Sequence, residues 1–255
     1  MTDQEAVTQN DDLEGEESNE IEMSFLDHLE ELRWRLIYSL IGLVVSAAVC
    51  WIFIDYLVDV ILLKPAMDSG AKLQNLRPFG QLFMYMQVAI IGGIVISIPN
   101  IFYQLWKFVA PALKKNEKKY ALLIVFYSSL CFLSGIVFAY FVMLPLTLKF
   151  AAQFGSSEIA NQFAIDEYLS IIISVMLAAG VIFELPMISF FLSKLGILTP
   201  QFMKKYRKHS IVGIMVIAAF LTPGTDPVSQ IVLAVPLVLL YEISIFISKI
   251  STKKS

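Results

Sequence analysis

Six apolar runs, at 36–54, 79–96, 120–144, 168–192, 210–221 and 228–247, dominate this chain of 255 residues. A bilayer core of about 30 Å needs roughly 20 helical residues to cross it, and all but the fifth run come near or exceed that length. Inside lipid every backbone N–H and C=O must be satisfied within its own segment, so such runs fold as helices. Composition agrees: 57% of residues are hydrophobic and only 16% are charged, too few to coat a water-facing surface. The sequence therefore predicts an all-α polytopic membrane protein with six transmembrane helices.

An even number of spans returns both termini to one side, and Lys and Arg identify that side. Of the 19 basic residues, four (Lys64, Lys72, Arg77 and Lys149) fall in loops of one face, and 15 fall on the other. By the positive-inside rule both termini are cytoplasmic. Net charge alone would mislead here. Residues 1–31 hold 12 acids and no Lys or Arg, so the overall −3 conceals a basic membrane body. We read residues 1–22 as an acidic disordered leader, 23–250 as one membrane domain and 251–255 as a basic tail. An acidic start also excludes a cleavable signal or a transit peptide, which open with basic residues.

The fifth run has 12 residues and would rise roughly 18 Å as a helix, short of the hydrocarbon thickness. Pro186 and Pro236 interrupt the fourth and sixth runs, and Pro99, just past the end of the second run, acts on the same span, each removing a backbone donor. Bent helices of this kind predict a concave bundle with short fifth and sixth helices. Cys50 and Cys131 both lie in apolar runs, His28 and His209 have no spaced partner, and no G-x-x-x-x-G-K-[ST] loop occurs. These absences remove the parts for disulfides, zinc centres, His-based triads and nucleotide hydrolysis, and no cofactor is expected.

Five places carry candidate chemistry. Ser24 and Asp27 form an S-x-x-D helix start, after which Asp27 and Glu31 make an acidic spot that would welcome a cation. Pairing of Glu31 with Arg35 and of Glu30 with Arg33 along the helix would instead close it. Glu117 sits alone among four lysines in KKNEKK, preceded by the aromatic cluster of residues 103–108. Glu184 lies well inside the fourth run, where an acid costs about 2.5–3.5 kcal/mol and so faces a polar cavity, titrates or pairs. Asp226 and Gln230, in TPGTDPVSQ, read as turn and helix-start chemistry. Glu242 lies near the interface, within reach of Lys249.

These residues together resemble the TatC family of the twin-arginine protein translocase. HLEELRWRL (28–36) resembles its amino-terminal signature and SIPNIFYQLWKFVAPALKKNE (97–117) its first cytoplasmic loop; FAYFVMLPL (138–146), VIFELP (181–186) and LTPGTDPVSQ (221–230) continue the series in order. The resemblance implies a non-catalytic receptor, in a bacterial inner membrane, for signal peptides bearing two adjacent arginines on folded cargo exported by the proton-motive force. It assigns Glu31 and Glu117 to the arginines, with Arg33 and Phe108 supporting that surface. Glu184 would meet a polar residue on the single transmembrane helix of a TatA-like or TatB-like partner. Asp226, Gln230 and Pro65 match positions used on the far side, Gln230 also being counted toward the concave, partner-facing side. Homo- and hetero-oligomers in the lipid bilayer follow from the same resemblance, with no nucleic acid as a partner. The alternative outside this family is a proton-coupled small-solute transporter using Glu184, for which spans one to three and four to six show no internal repeat.

Overall fold

In the computed structural model, residues 25–70, 72–109, 121–153, 162–221 and 227–252 are described. Helix α1 (Phe25–Ile52) is followed by a single turn, α2 (Ile54–Tyr56), and a π-helical stretch, Leu57–Leu62. A short α3 (Lys64–Ser69), strand β1 (Lys72–Gln74) and the long α4 (Gly80–Val109) come next. The third span is α5 (Ala121–Phe138), a second π-helical stretch at Ala139–Met143, and α6 (Leu144–Gln153). Strand β2 (Gln162–Ala164) leads into α7 (Ile165–Ile182) and α8 (Leu185–Lys194), then α9 (Pro200–Lys205), α10 (Arg207–Leu221) and α11 (Pro227–Thr252).

Five helical stretches among the described residues are long and apolar enough to cross a membrane: Leu26–Ile52, Gly80–Val109, Leu122–Gln153, Ile165–Lys194 and Gln230–Ser251. The fifth apolar run is α10, whose 15 residues span about 22 Å, still below the bilayer core. The expectation of a short sixth helix does not hold. Helix α11 runs 26 residues straight through Pro236, and α4 likewise continues through Pro99. A proline removes one donor and crowds one carbonyl, and the residues on either side can keep their helical bonds. Only Pro186 coincides with a break, standing in the first turn of α8 directly after α7 ends.

Small residues set how closely these helices approach. A Cβ on Gly93 of α4 would lie 2.7 Å from the Ala47 backbone of α1, and one on Gly135 of α5 would lie 2.6 Å from the Ala179 carbonyl oxygen of α7. Without a hydrophobic drive between helices in lipid, the close packing that such small residues allow is one of the sources of association. Helices α8 and α11 are joined by a seam of buried serines, with Ser193 Oγ donating to Ser248 Oγ at 2.6 Å. The main core, around Tyr168, Leu144, Leu233 and Leu237, occupies the half of the bundle near α3 and α6.

That half also carries a small cap that an all-α expectation omits. Strands β1 and β2 pair in parallel, Lys72 with Gln162 through Gln74 with Ala164. Three-residue strands are marginal alone. Here Arg77 Nε meets Asp166 Oδ2 at 2.8 Å beside them. Tyr168 Oη donates to the Leu62 carbonyl at 2.5 Å and Tyr140 Oη to that of Ile61 at 2.8 Å, so carbonyls of the π-helical stretch find partners across the bundle.

Candidate functional site

The first turns of α1 lie against the last turns of α4, and this end gathers the amino-terminal signature. Arg35 Nη2 contacts Glu31 Oε1 at 2.7 Å, its Nε reaches the same oxygen at 3.3 Å, and its Nη1 donates to Gln104 Oε1 at 3.4 Å. The i to i+4 spacing makes the first contact available on one helix face, and buried Gln104 anchors it across to α4. The other carboxylate oxygen, Glu31 Oε2, is buried with no hydrogen-bond partner. The pairing of Glu31 with Arg35 expected from the sequence is thus present through one oxygen, and the second oxygen takes no part in it. An ionised carboxylate with an unused oxygen is a strong acceptor for a guanidinium.

Beside it, the His28 ring stacks on Phe108 with centroids 4.3 Å apart and planes 16° from parallel. Arg33 is exposed, and no ion pair among the described residues joins it to Glu30. Lys107 Nζ stands 5.6 Å from the Tyr103 ring centroid. Glu117 and Asp226 lie outside the described residues. Gln104 and His28 are the members of this cluster that sequence reasoning left without a role. Both stood in the quoted motifs, but nothing in the spacing showed that they face each other's helices.

Glu184 occupies the junction between α7 and α8. It is 7% exposed, and its Oε1 has no hydrogen-bond partner, while Ser128 of α5 is within hydrogen-bonding reach of the carboxyl. It lines a groove of about 430 Å³ whose other walls include Phe102 and Trp106 of α4, Phe132 of α5 and Phe191 of α8. Trp106 meets Phe191 edge-on at 4.7 Å. An acid in such a wall is the one ionisable group the groove offers among its lining residues.

The remaining residues lie elsewhere. Gln230 Nε2 donates to the Met215 carbonyl at 3.1 Å, tying α11 to α10, and Gln230 does not line the Glu184 groove. Pro65 is buried in the first turn of α3, at the opposite end of the bundle from Glu31. Glu242, read from sequence as near Lys249, is engaged instead by Arg207 Nε of α10 at 2.5 Å.

The family model for the Sec-independent protein translocase protein TatC matches residues 27–236, from the first turn of α1 to Pro236. The chain belongs to the TatC family. A TatC from Carboxydothermus hydrogenoformans is 37% identical over 227 residues, covering 89% of this chain and 93% of the relative. One from Aquifex aeolicus is 36% identical over 236 residues, covering 91% and 97%. A crystal structure of the twin-arginine translocase receptor TatC superimposes with a TM-score of 0.75 at 38% identity, over 88% of this chain and 99% of that one. As a TatC protein the chain is a translocase component and not an enzyme, and the solute-transporter alternative falls away. The acidic stretch from Asp3 to Glu22 lies outside the matched residues.

Proposed function

We propose that the α1–α4 end of this TatC protein is the receptor surface for a twin-arginine signal peptide. One signal arginine binds the unused oxygen of Glu31, and the second binds Glu117. The flat His28–Phe108 pair and Arg33 border the peptide. The observation that carries this reading is the half-engaged Glu31 carboxylate: Arg35 fixes its direction through Oε1 and leaves Oε2 buried without a partner. A carboxylate held this way is preorganised, so little is lost in ordering it when a guanidinium arrives. Lysine keeps the charge and lacks the planar fork, so an arginine pair is preferred.

In the same reading the chain has six spans with α10 as a short fifth, both termini in the cytoplasm of a bacterial cell, and a bilayer that thins around α10. Glu184 docks the single helix of a TatA-like or TatB-like subunit through a polar side chain, because a hydrogen-bonding group is the natural complement to an acid in an apolar groove. Gln230, Pro65 and Asp226 serve the far side of the assembly. Cargo crosses at the expense of the proton-motive force in homo- and hetero-oligomers.

Titration of the purified protein with an Arg-Arg signal peptide and its Lys-Lys counterpart tests the receptor site. The Arg-Arg peptide binds about tenfold more tightly or better, and Glu31→Ala removes most of that preference. Equal affinity for both peptides in the unaltered protein would refute the carboxylate fork.

A further inference from the structure

At the end of the bundle opposite Glu31, two spaces adjoin. The first is an apolar fissure of about 230 Å³, lined among others by Leu57, Gly92, Val95, Ile172 and Met176. The second is a rim pocket of about 410 Å³ that holds Lys64, Asp68, Val60 and Phe141. Ile61 and Tyr140 line both, and the hydrogen bond from Tyr140 Oη to the Ile61 carbonyl forms a strut between them. The fissure gives water nothing to bond to, since the one hydroxyl on its wall is already used by that strut. A hydrocarbon chain would recover the dispersion contacts that an empty fissure lacks.

The rim has a different character. Lys64 and Asp68 are exposed, stand four residues apart on α3, and no ion pair among the described residues engages either. One cation and one anion in a single pocket, directly beside an apolar fissure, make a complementary pattern for a zwitterionic amphiphile. We propose that this paired site holds a phosphoethanolamine phospholipid of the leaflet opposite the arginine surface, with phosphate on Lys64, ammonium on Asp68 and an acyl chain in the fissure. The pattern selects among headgroups. Asp68 accepts the N–H groups of a primary ammonium, which a trimethylammonium lacks. It repels a phosphoglycerol headgroup, whose phosphate charge has no internal counterion. Lys64 serves any phosphodiester. The assignment is independent of how signal peptides bind.

Native mass spectrometry of the purified full-length chain, exchanged into micelles containing phosphatidylethanolamine, phosphatidylcholine or phosphatidylglycerol, tests this. Phosphatidylethanolamine is retained as one molecule per chain, about tenfold in preference to either of the others. Lys64→Gln lowers retention of all three. Asp68→Asn lowers phosphatidylethanolamine and raises phosphatidylglycerol, a reversal that general surface stickiness would not produce. Both side chains are exposed, so these variants fold; Val95→Phe, which narrows the fissure, lowers retention with the melting temperature as its control. Equal retention of the three lipids, preference for phosphatidylglycerol, or indifference to Lys64→Gln and Asp68→Asn would each overturn the assignment.

Discussion

Glu31 and Glu184 are both glutamates with one unpartnered oxygen, yet their surroundings differ in kind. Glu31 has a guanidinium on its other oxygen and a glutamine behind that guanidinium. Glu184 has a serine hydroxyl and aromatic walls. The first arrangement holds the carboxylate at a fixed place and leaves its second oxygen buried without a partner, which under the proposed function is the oxygen a signal arginine takes up. The second supplies no cation among its lining residues, so it favours a neutral hydrogen-bonding partner that brings its own polar atom into an apolar groove. On the proposed reading, what each carboxylate recognises is set by what already holds it.

The largest effect should come from moving the scaffold on which the Glu31 arrangement rests. Gly93→Leu forces a side chain into the Ala47 backbone, and overpacking of this kind costs about 1–3 kcal/mol. The α1–α4 contact loosens, Arg35 loses its reach to Gln104, and signal-peptide binding drops together with the melting temperature. Binding of a single-span partner at Glu184, measured by co-purification, falls less, because its groove is built from α4, α5, α7 and α8 without α1. Equal loss at both sites would show that the two glutamates form one unit.

The next pair of variants separates the two carboxylates directly. Glu31→Ala removes a charge-assisted contact worth about 1.5–3 kcal/mol, which calorimetry with a twin-arginine peptide would register as a tenfold or greater weakening. Glu184→Gln keeps the shape and the Ser128 contact while removing the charge. It should leave peptide affinity within about 0.5 kcal/mol of the unaltered protein, as expected for sites with no shared partner. Its effect appears in partner co-purification. A peptide affinity lowered as much by Glu184→Gln as by Glu31→Ala would end the distinction.

The contrast between the two sites also marks how far the residues alone could be read. Glu184 was legible because an acid within an apolar run has few physical excuses. Glu31 was legible only as a choice between pairing and openness, and the structure shows the pairing with Arg35, with Gln104 behind it. The membrane-spanning helices followed from run length. The π-helical stretches did not, since a residue gained in a turn leaves hydropathy unchanged. Nor did the β1–β2 cap, because three residues carry no alternation to detect. Prolines did not all act alike: Pro186 accompanies a break between helices, whereas helix α11 continues through Pro236. Interhelical distance was invisible too, for Gly93 becomes necessary only once Ala47 is known to face it.

A smaller effect tests whether Arg35 needs its anchor. In Gln104→Ala, the Arg35 Nη1 contact at 3.4 Å is lost, and a hydrogen bond of this length to a charged donor contributes on the order of 1 kcal/mol at most. Arg35 stays on Glu31, so the melting temperature changes little. The sharper readout is the ratio of Arg-Arg to Lys-Lys affinity, which should narrow by a few fold as the carboxylate loses its fixed direction. Gln104→Glu should restore the anchor and therefore the ratio. Loss of both peptides in equal proportion would mean that Gln104 supports packing alone.

The smallest effect belongs to the ring pair beside Glu31. Stacked aromatic rings contribute about 0.5–1.5 kcal/mol beyond the area they bury, and the His28 ring, half-buried on Phe108, should fall at the lower end. His28→Ala would then weaken a twin-arginine peptide two- to threefold, near the limit that calorimetry resolves, while His28→Phe keeps the platform and leaves affinity unchanged. Because the Glu184 groove does not include His28, partner co-purification stays constant in both variants. A histidine replaced by phenylalanine that binds as poorly as the alanine variant would shift the role of His28 from its ring face to its nitrogens, and the flat-surface account of this corner would have to be given up.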